Sequence, residues 1–418
     1  MKKTLLVLTV LGAYAAAAQA VDFTVDGTNL SVYGVLDGAA YTMSSPHAPA
    51  GLSSTTWGIA SNNMQTSRLG FGANTDLGSG LKITGNLEEE ISISTGGQGD
   101  GATVATPTAA ASGGGTYNRA ANVGLASPSW GEIKLGRQIT PSLMTAVQLD
   151  AMGSQSGGYT NAWAYSQLVN SIIFTGAGAL NGGAATDQNF NGGNNAPDLF
   201  VAALSYTSPI FSGFQVRLLQ TFGSNNSPGS GNTGQPFGDS GVTDFSLRYD
   251  DGSFAFSLAD NAVNIGNSVA GAYSGRLENN LQVGGSYKFG DTKVTLAYGD
   301  IAYADGYKAA LKALANSSPP DDVEIWSLGA TQQVGQYKFG LSYTDIKDKD
   351  HSANGVSDWS ALVDFAFNKQ GDVYAQLTSS DNKGNAQYSG LYGSALPSMA
   401  GGVGGTVNSL AVGLRYKF

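Results

Sequence analysis

Short stretches in which apolar and polar residues alternate recur along the whole chain, and tight turns join them in pairs. FSLRYDDGSFAFSLAD sets Phe245, Leu247 and Tyr249 against Phe254, Phe256 and Leu258 across Asp250-Asp251-Gly252. LQVGGSYKFGDTKVTLAYGD repeats the arrangement across Gly290-Asp291, EIWSLGATQQVGQYKFGLSYTD across Gln333 to Gly335, and SDWSALVDFAFNKQGDVYAQLTSSD across Asn368 to Gly371. Alternation is the signature of a β-strand with two unlike faces. Gly, Asn and Asp tolerate the backbone angles that tight hairpins demand. Between the hairpins run longer polar stretches rich in Gly, Ser, Asn and Ala, such as 223–241, 261–275 and 379–406. Tight turns alternating with long loops, on strands of about ten residues, predict an all-β chain closed into a transmembrane antiparallel up-and-down β-barrel.

The last nine residues, LAVGLRYKF, show what each face is for. Leu410, Val412, Leu414, Tyr416 and Phe418 share one parity, and Arg415 and Lys417 share the other. The first set is expected to face lipid, with Tyr416 and Phe418 in an aromatic girdle, and the second to face a watery lumen. The same reading places 16 strands near 29–41, 65–75, 81–94, 117–127, 131–138, 200–208, 213–222, 242–249, 253–261, 279–288, 292–301, 323–332, 336–346, 357–367, 372–380 and 408–418. An even number returns both ends to one side, so LSVYGVLDGAAYT (30–42) is expected to pair with LAVGLRYKF.

The other end agrees. MKKTLLVLTVLGAYAAAAQA has a charged start, a short apolar run and an Ala18-Gln19-Ala20 cleavage signal, so residues 1–20 are expected to be an export signal and 21–418 one barrel domain. No later stretch is apolar enough for a membrane helix. There is no Cys, and Asp, Glu, Lys and Arg make up only 12% of the chain, against about a quarter in soluble domains. A soluble β-sandwich or adhesin domain would need a more polar outer parity. The formal charge of −10 argues against a nucleic-acid partner.

Several stretches resemble a known family, the trimeric Gram-negative porins. SVYGVLDGAAYT (31–42) resembles their first strand, SRLGFGANTDLGSGLKITGNLEE (67–89) the next hairpin, NRAANVGLASPSWGEIKLGRQ (118–138) the third, and SYTSPIFSGFQV (205–216) the one after. The Tyr-x-Phe ending, with Phe418 last, resembles the signal read by the barrel-assembly machinery. The resemblance implies a homotrimer in outer-membrane lipid and lipopolysaccharide, passing small hydrophilic solutes by passive diffusion. It also implies a third loop folded into the lumen to form an eyelet. The gap from Ile139 to about Leu199, the longest between expected strands, is a loop of the right kind. A substrate-specific channel for a sugar or organic anion, and a barrel acting as adhesin or anchor, remain alternatives.

Lumenal parity in the expected strands falls on Arg68, Lys82, Lys134, Arg217, Arg248, Lys288, Lys293, Lys338, Arg415 and Lys417, against Asp37, Glu88, Glu90, Glu132, Asp244 and Asp364. The wall is thus mildly basic in an acidic chain, which predicts a weak preference for anions. Arg68 matches the eyelet arginine of the family's S-R-[LIF]-G-F motif, and Arg137 that of its G-R-[QN] motif. Parity would send Arg137 outward with Leu135, and here the motif is preferred. Arg119, in the N-R pair, also resembles a family position, but by parity it falls at the external rim. Asp150 opens the third loop and is expected at the constriction; the family's usual acidic Pro-Glu-Phe-Gly-Gly segment is replaced here by SQSGGYTN (154–161). The acids Asp187 and Asp198 come late in that loop, and a further eyelet arginine is missing around Asp198 to Ala203. Tyr159, Trp163 and Tyr165 are expected to pack the loop against the wall. The Gly-rich stretch from Gly176 to Asn195 lacks the Lys and following helix of a phosphate cradle. His47 and His351, both in loops, offer no catalytic set, so no enzyme, cofactor or metal is expected. DDVE (321–324) is read as a solvated acidic loop in preference to a calcium site.

Overall fold

The structure, a computed structural model, describes residues 20–44, 54–97, 116–166, 200–221, 241–268, 273–313, 321–386, 388–391 and 404–418. The segments 1–19 and 176–195, and with them His47, Asp187 and Asp198, lie outside the described residues.

All neighbouring strands pair antiparallel, and the sheet closes on itself. The closing seam is the expected one: Gly405–Lys417 pairs with Thr28–Ser44, setting Leu414 beside Gly38 and Arg415 beside Asp37. The chain end locks onto the same strand. Gly34 N–H donates to the Phe418 carbonyl (2.7 Å), and Phe418 N–H donates back (3.0 Å). The Phe418 ring lies directly over Gly34, in space that any β-carbon there would occupy.

Eighteen described strand segments make 16 lanes, because two lanes are broken. Val21–Val25 pairs with 28–32 and continues the lane of Gly405–Lys417. Thr55–Ser61 pairs with 38–44 and continues the lane of Arg68–Gly78, which pairs with 28–35. The expected strand 65–75 therefore starts later, after a bend over 62–67 that alternation alone does not reveal. Asp37 makes that bend. Its carboxylate accepts the backbone N–H of Met64 (2.9 Å) and Gln65 (2.7 Å) and the Tyr374 hydroxyl (2.6 Å), while Asn62 takes a left-handed φ of 68°. The other expected strands are present with shifted ends. Phe254–Ser268 and Tyr273–Phe289 run furthest beyond the expected spans.

The alternation sorts the faces as expected. Leu135 is 55% exposed and Leu414 56%, while the lumenal Arg415 is 9% exposed. Outward rings form two belts. At the tight-turn end Tyr416 stacks on Phe418 (5.9 Å between centroids) and Tyr337 on Phe339 (6.1 Å). Towards the long-loop end Tyr298 meets Trp326 (4.6 Å) and Tyr343 meets Trp359 (4.8 Å). Aromatic rings suit the two water–lipid boundaries because one molecule presents both an apolar body and a polar edge.

Candidate functional site: the lumen and the third loop

The third loop leaves the strand Gly131–Ile139 and turns at once into helix α1, Pro141–Leu149. The sequence TPSL explains the start: the Thr140 hydroxyl accepts the Leu143 N–H (3.3 Å), and Pro141 occupies a position that needs no N–H. Ser142 fastens the helix start to the wall, giving its N–H and its hydroxyl to the two oxygens of Asp244 (2.9 Å each). Helix α2, Gly158–Tyr165, follows after a tight turn.

Asp150 shapes that turn. One oxygen accepts the N–H groups of Met152 and Gly153 (2.9 Å each), and the other that of Thr160 (3.0 Å). Its side chain, expected at the constriction, is thus engaged by the loop's own backbone. Beyond it the loop docks on the wall mostly through neutral groups, with Lys338 also donating to the Met152 carbonyl. Ser156 N–H donates to Asn63 O (3.0 Å), the Ser156 hydroxyl to Asn63 Oδ1 (2.7 Å), and the Ser154 hydroxyl to Gln376 Oε1 (3.2 Å). Tyr388 OH donates to Asn161 (2.6 Å), Trp163 Nε1 to Asn280 (2.9 Å), and Tyr159 OH to the Tyr298 carbonyl (3.1 Å). Tyr159 and Trp163 are fully buried in an apolar cluster with Leu149, Ile301, Ile325 and Ile346, packing the loop as expected.

Beside α1, towards the strands between Thr28 and Thr221, a cavity of about 630 Å³ remains. Its charged lining is Arg68, Lys82, Arg119, Lys134 and Arg217 with Asp22 and Glu88. Glu88 sits between two arginines: Arg119 Nε is 2.6 Å away and Arg68 Nε 3.7 Å, and the Tyr33 hydroxyl adds a hydrogen bond of 2.8 Å. Arg68 also donates to the Thr66 carbonyl (3.0 Å), Arg217 to Gln215 (2.7 Å), and Lys134 pairs with Glu132 (3.1 Å). Arg248 pairs with Asp250 in a second cavity on the other side of α1. Asp37, fully buried, belongs to the bend rather than to either cavity.

Two arginines exchange the places expected for them. Arg137 does not line either cavity. Its strand keeps pairing through Ile139, so alternation holds. Gln138 takes the lumenal place, and Arg137 stays on the parity of Leu135, its Nε bound to the Asn118 carbonyl. Arg119 does line the lumen. The expected strand 117–127 begins only at Ala120; the Arg119 N–H still donates to the Glu88 carbonyl (3.1 Å), but Arg119 lies outside the regular ladder, and its side chain reaches the Glu88 carboxylate with its guanidinium 4.6 Å over the Phe200 ring. The sequence signal was the N-R pair at 118–119, a family position that strict alternation overruled.

The DDVE carboxylates do not converge. Asp321 faces His351 Nδ1 (3.1 Å), Asp322 pairs with Lys308 (2.8 Å) and Glu324 with Lys347 (3.1 Å). Asp321 and His351, in loops, and Asp348, the last residue of its strand, do approach one another at the long-loop end. Burial, and then the neighbouring Asp348, push the Asp321 carboxyl up to about 6.

A closed barrel with lipid-facing apolar strands, a charged hydrated lumen and a loop folded across it defines a water-filled channel of the outer membrane. The chain belongs to the Gram-negative porin family, whose family model matches residues 6–385. Outer membrane porin protein 32 of Delftia acidovorans is 25% identical over 430 aligned positions covering both chains fully. An outer membrane porin protein of Bordetella pertussis is 24% identical over 310 residues, 71% of this chain and 69% of its own. Among solved structures, an anion-selective porin from Comamonas acidovorans superposes with a TM-score of 0.68 at 19% identity, covering 94% of this chain and 100% of its own. A trimer form of the Vibrio cholerae outer-membrane protein OmpT gives 0.51 at 15% identity, covering 94% and 100%. The protein is thus an outer-membrane channel for passive diffusion.

Proposed function

We propose that this channel is a homotrimer of permanently open pores that pass small hydrophilic solutes and favour anions. One observation carries the preference: five cationic side chains against two carboxylates line the 630 Å³ cavity. Of the two carboxylates, Asp22 and Glu88, Glu88 has its charge offset by Arg68 and Arg119. Charged side chains in a narrow pore with low-dielectric walls act strongly on passing ions. In this reading Arg68, Arg119, Lys82 and Arg217 with Glu88 set the field at the constriction, and α1 sets its width. The anion-selective character of the Comamonas porin supports the same preference.

The trimer is supported by the outer face. Among the described residues, outward ring pairs lie between Phe214 and Phe418. The face from Thr55 to Ile139 instead exposes mostly aliphatic side chains such as Ile59, Val123, Leu125 and Leu135. Trp57 and Phe71 are also exposed there, but among the described residues this face carries no outward ring pair; a mainly aliphatic face suits contact with a second copy, and the trimeric Vibrio relative is consistent with this. Residues 1–20 would direct export, and the outward Phe418 would serve as the signal for barrel assembly into a leaflet of lipopolysaccharide. The test is the zero-current potential of single channels in a planar bilayer under a potassium chloride gradient. A chloride-biased potential with conductance in linked triple steps is expected. A potassium bias would sink the anion reading, and single uncoupled steps the trimer.

A further inference from the structure

The second cavity, about 540 Å³, lies under α1 at the tight-turn end of the barrel. Lys288, Lys293 and Lys338 line it with Arg248, which Asp250 engages. Among the described residues, no carboxylate stands within 4.0 Å of any of the three lysines. Other lumenal cations are differently placed: Arg415 is held by Asp372 (3.0 Å) and Lys134 by Glu132 (3.1 Å).

Two features concentrate the charge. Lys288 and Lys293 are direct cross-strand partners on the lumenal face, an arrangement of like charges that weakens strand pairing. Lys338 reaches the loop, donating to the Met152 carbonyl, so its ammonium is tied into the roof of the same cavity. Gln148 of α1 lines it too. Its Oε1 accepts from the Ser257 hydroxyl (3.0 Å), and its Nε2 has no hydrogen-bond partner. Two carboxylates share the lining, but Asp150 is held by backbone N–H groups of the loop and Asp250 engages Arg248, so the facing ammonium groups and the tethered third leave a cationic cup. A monovalent ion can offset only one of these charges at a time. An ion with two or more charges spread over several oxygens bridges the lysine pair and accepts from the third.

We propose that this cup binds a small multivalent oxyanion, of the pyrophosphate or tricarboxylate type, entering from the periplasmic face. The proposal rests on the reading of the lumen as an open pore, and it adds a binding step to what is otherwise simple diffusion. Binding there holds a polyanion next to the constriction and interrupts chloride flow while it stays.

The test is single-channel block by inorganic pyrophosphate, added to one face of the bilayer and then to the other. The expected result is block from one face, with the half-blocking concentration rising roughly tenfold in Lys288→Gln/Lys293→Gln as charge-assisted bonds are lost. Lys369→Gln removes a turn lysine that does not line the cavity, and its block should match that of the unaltered chain. No block in a conducting channel, or block unchanged in the double variant, overturns the site. A chloride-biased channel with lysine-independent block overturns the site and leaves the anion preference standing. A channel without chloride bias whose block still needs the lysines does the reverse. Calorimetric titration of pyrophosphate into folded trimer gives the same comparison without conduction: heat lost in the double variant supports the site, and heat retained overturns it.

Discussion

Along the wall built from Gly355–Ala366 and Gly371–Lys383, neutral amides and hydroxyls grip the third loop, whereas the wall between Arg68 and Thr221 is left open and carries arginine and lysine. On the gripped side Asn63, Ser154, Ser156 and Gln376 exchange hydrogen bonds, and Asp358 is satisfied by the hydroxyls of Ser360 (2.8 Å) and Ser380 (2.6 Å). On the open side the charged groups border a cavity large enough for hydrated ions. The difference has a physical reason. Burying ion pairs under a loop costs desolvation that their attraction repays only in the best geometry. Mostly neutral hydrogen bonds fasten the loop on this side at less risk and leave most charges where solutes pass.

This division predicts that substitutions on the gripped side change pore width and stability, and those on the open side change selectivity. The largest effect is expected from Trp163→Ala, which removes a fully buried ring and its bond to Asn280. A cost of about 3–5 kcal/mol is typical for such a truncation. The loop should detach, seen as higher single-channel conductance and a lower melting temperature. Unchanged conductance would mean the loop does not depend on this anchor. Gln376→Leu should cost about 1–3 kcal/mol by stranding Asn63 and Ser154. Its signature is noisier current with little change in zero-current potential.

On the open side, Arg119→Gln should lower the chloride-to-potassium permeability ratio roughly twofold, since one fixed charge leaves a focused field. Arg137→Gln should change selectivity least, leaving the ratio unchanged and costing about 1 kcal/mol of stability through the lost bond to the Asn118 carbonyl. A shift as large as that of Arg119→Gln would return Arg137 to the lumen and contradict the placement described above.

That pair of arginines also shows how far the sequence could be read. Alternation located every lane of the barrel and the lipid face of the last strand, because a period-2 pattern repeated in LAVGLRYKF and its neighbours leaves few other folds. It failed where the ladder stops. Arg119 lies just before its strand, where regular alternation has not begun, and Arg137 lies just inside its strand and obeys it. The bend at 62–67 was hidden because it is made by Asp37, distant in sequence, through contacts with Met64 and Gln65. Helix α1 was legible in principle from Thr140-Pro141. The use of Asp150 was not, since its partners are backbone N–H groups of a loop whose shape the residue itself creates. For Trp163 and Tyr159 the expectation of packing held, because large rings in a loop folded into a barrel must find an apolar wall.

The most direct test of the cationic open side is the zero-current potential of Arg68→Gln/Arg119→Gln in a planar bilayer under a salt gradient. The expected result is loss of chloride bias, or its reversal towards potassium as Glu88 is left uncompensated, in a channel that still conducts. A chloride bias equal to that of the unaltered chain would contradict the claim that these two arginines set the field of the pore.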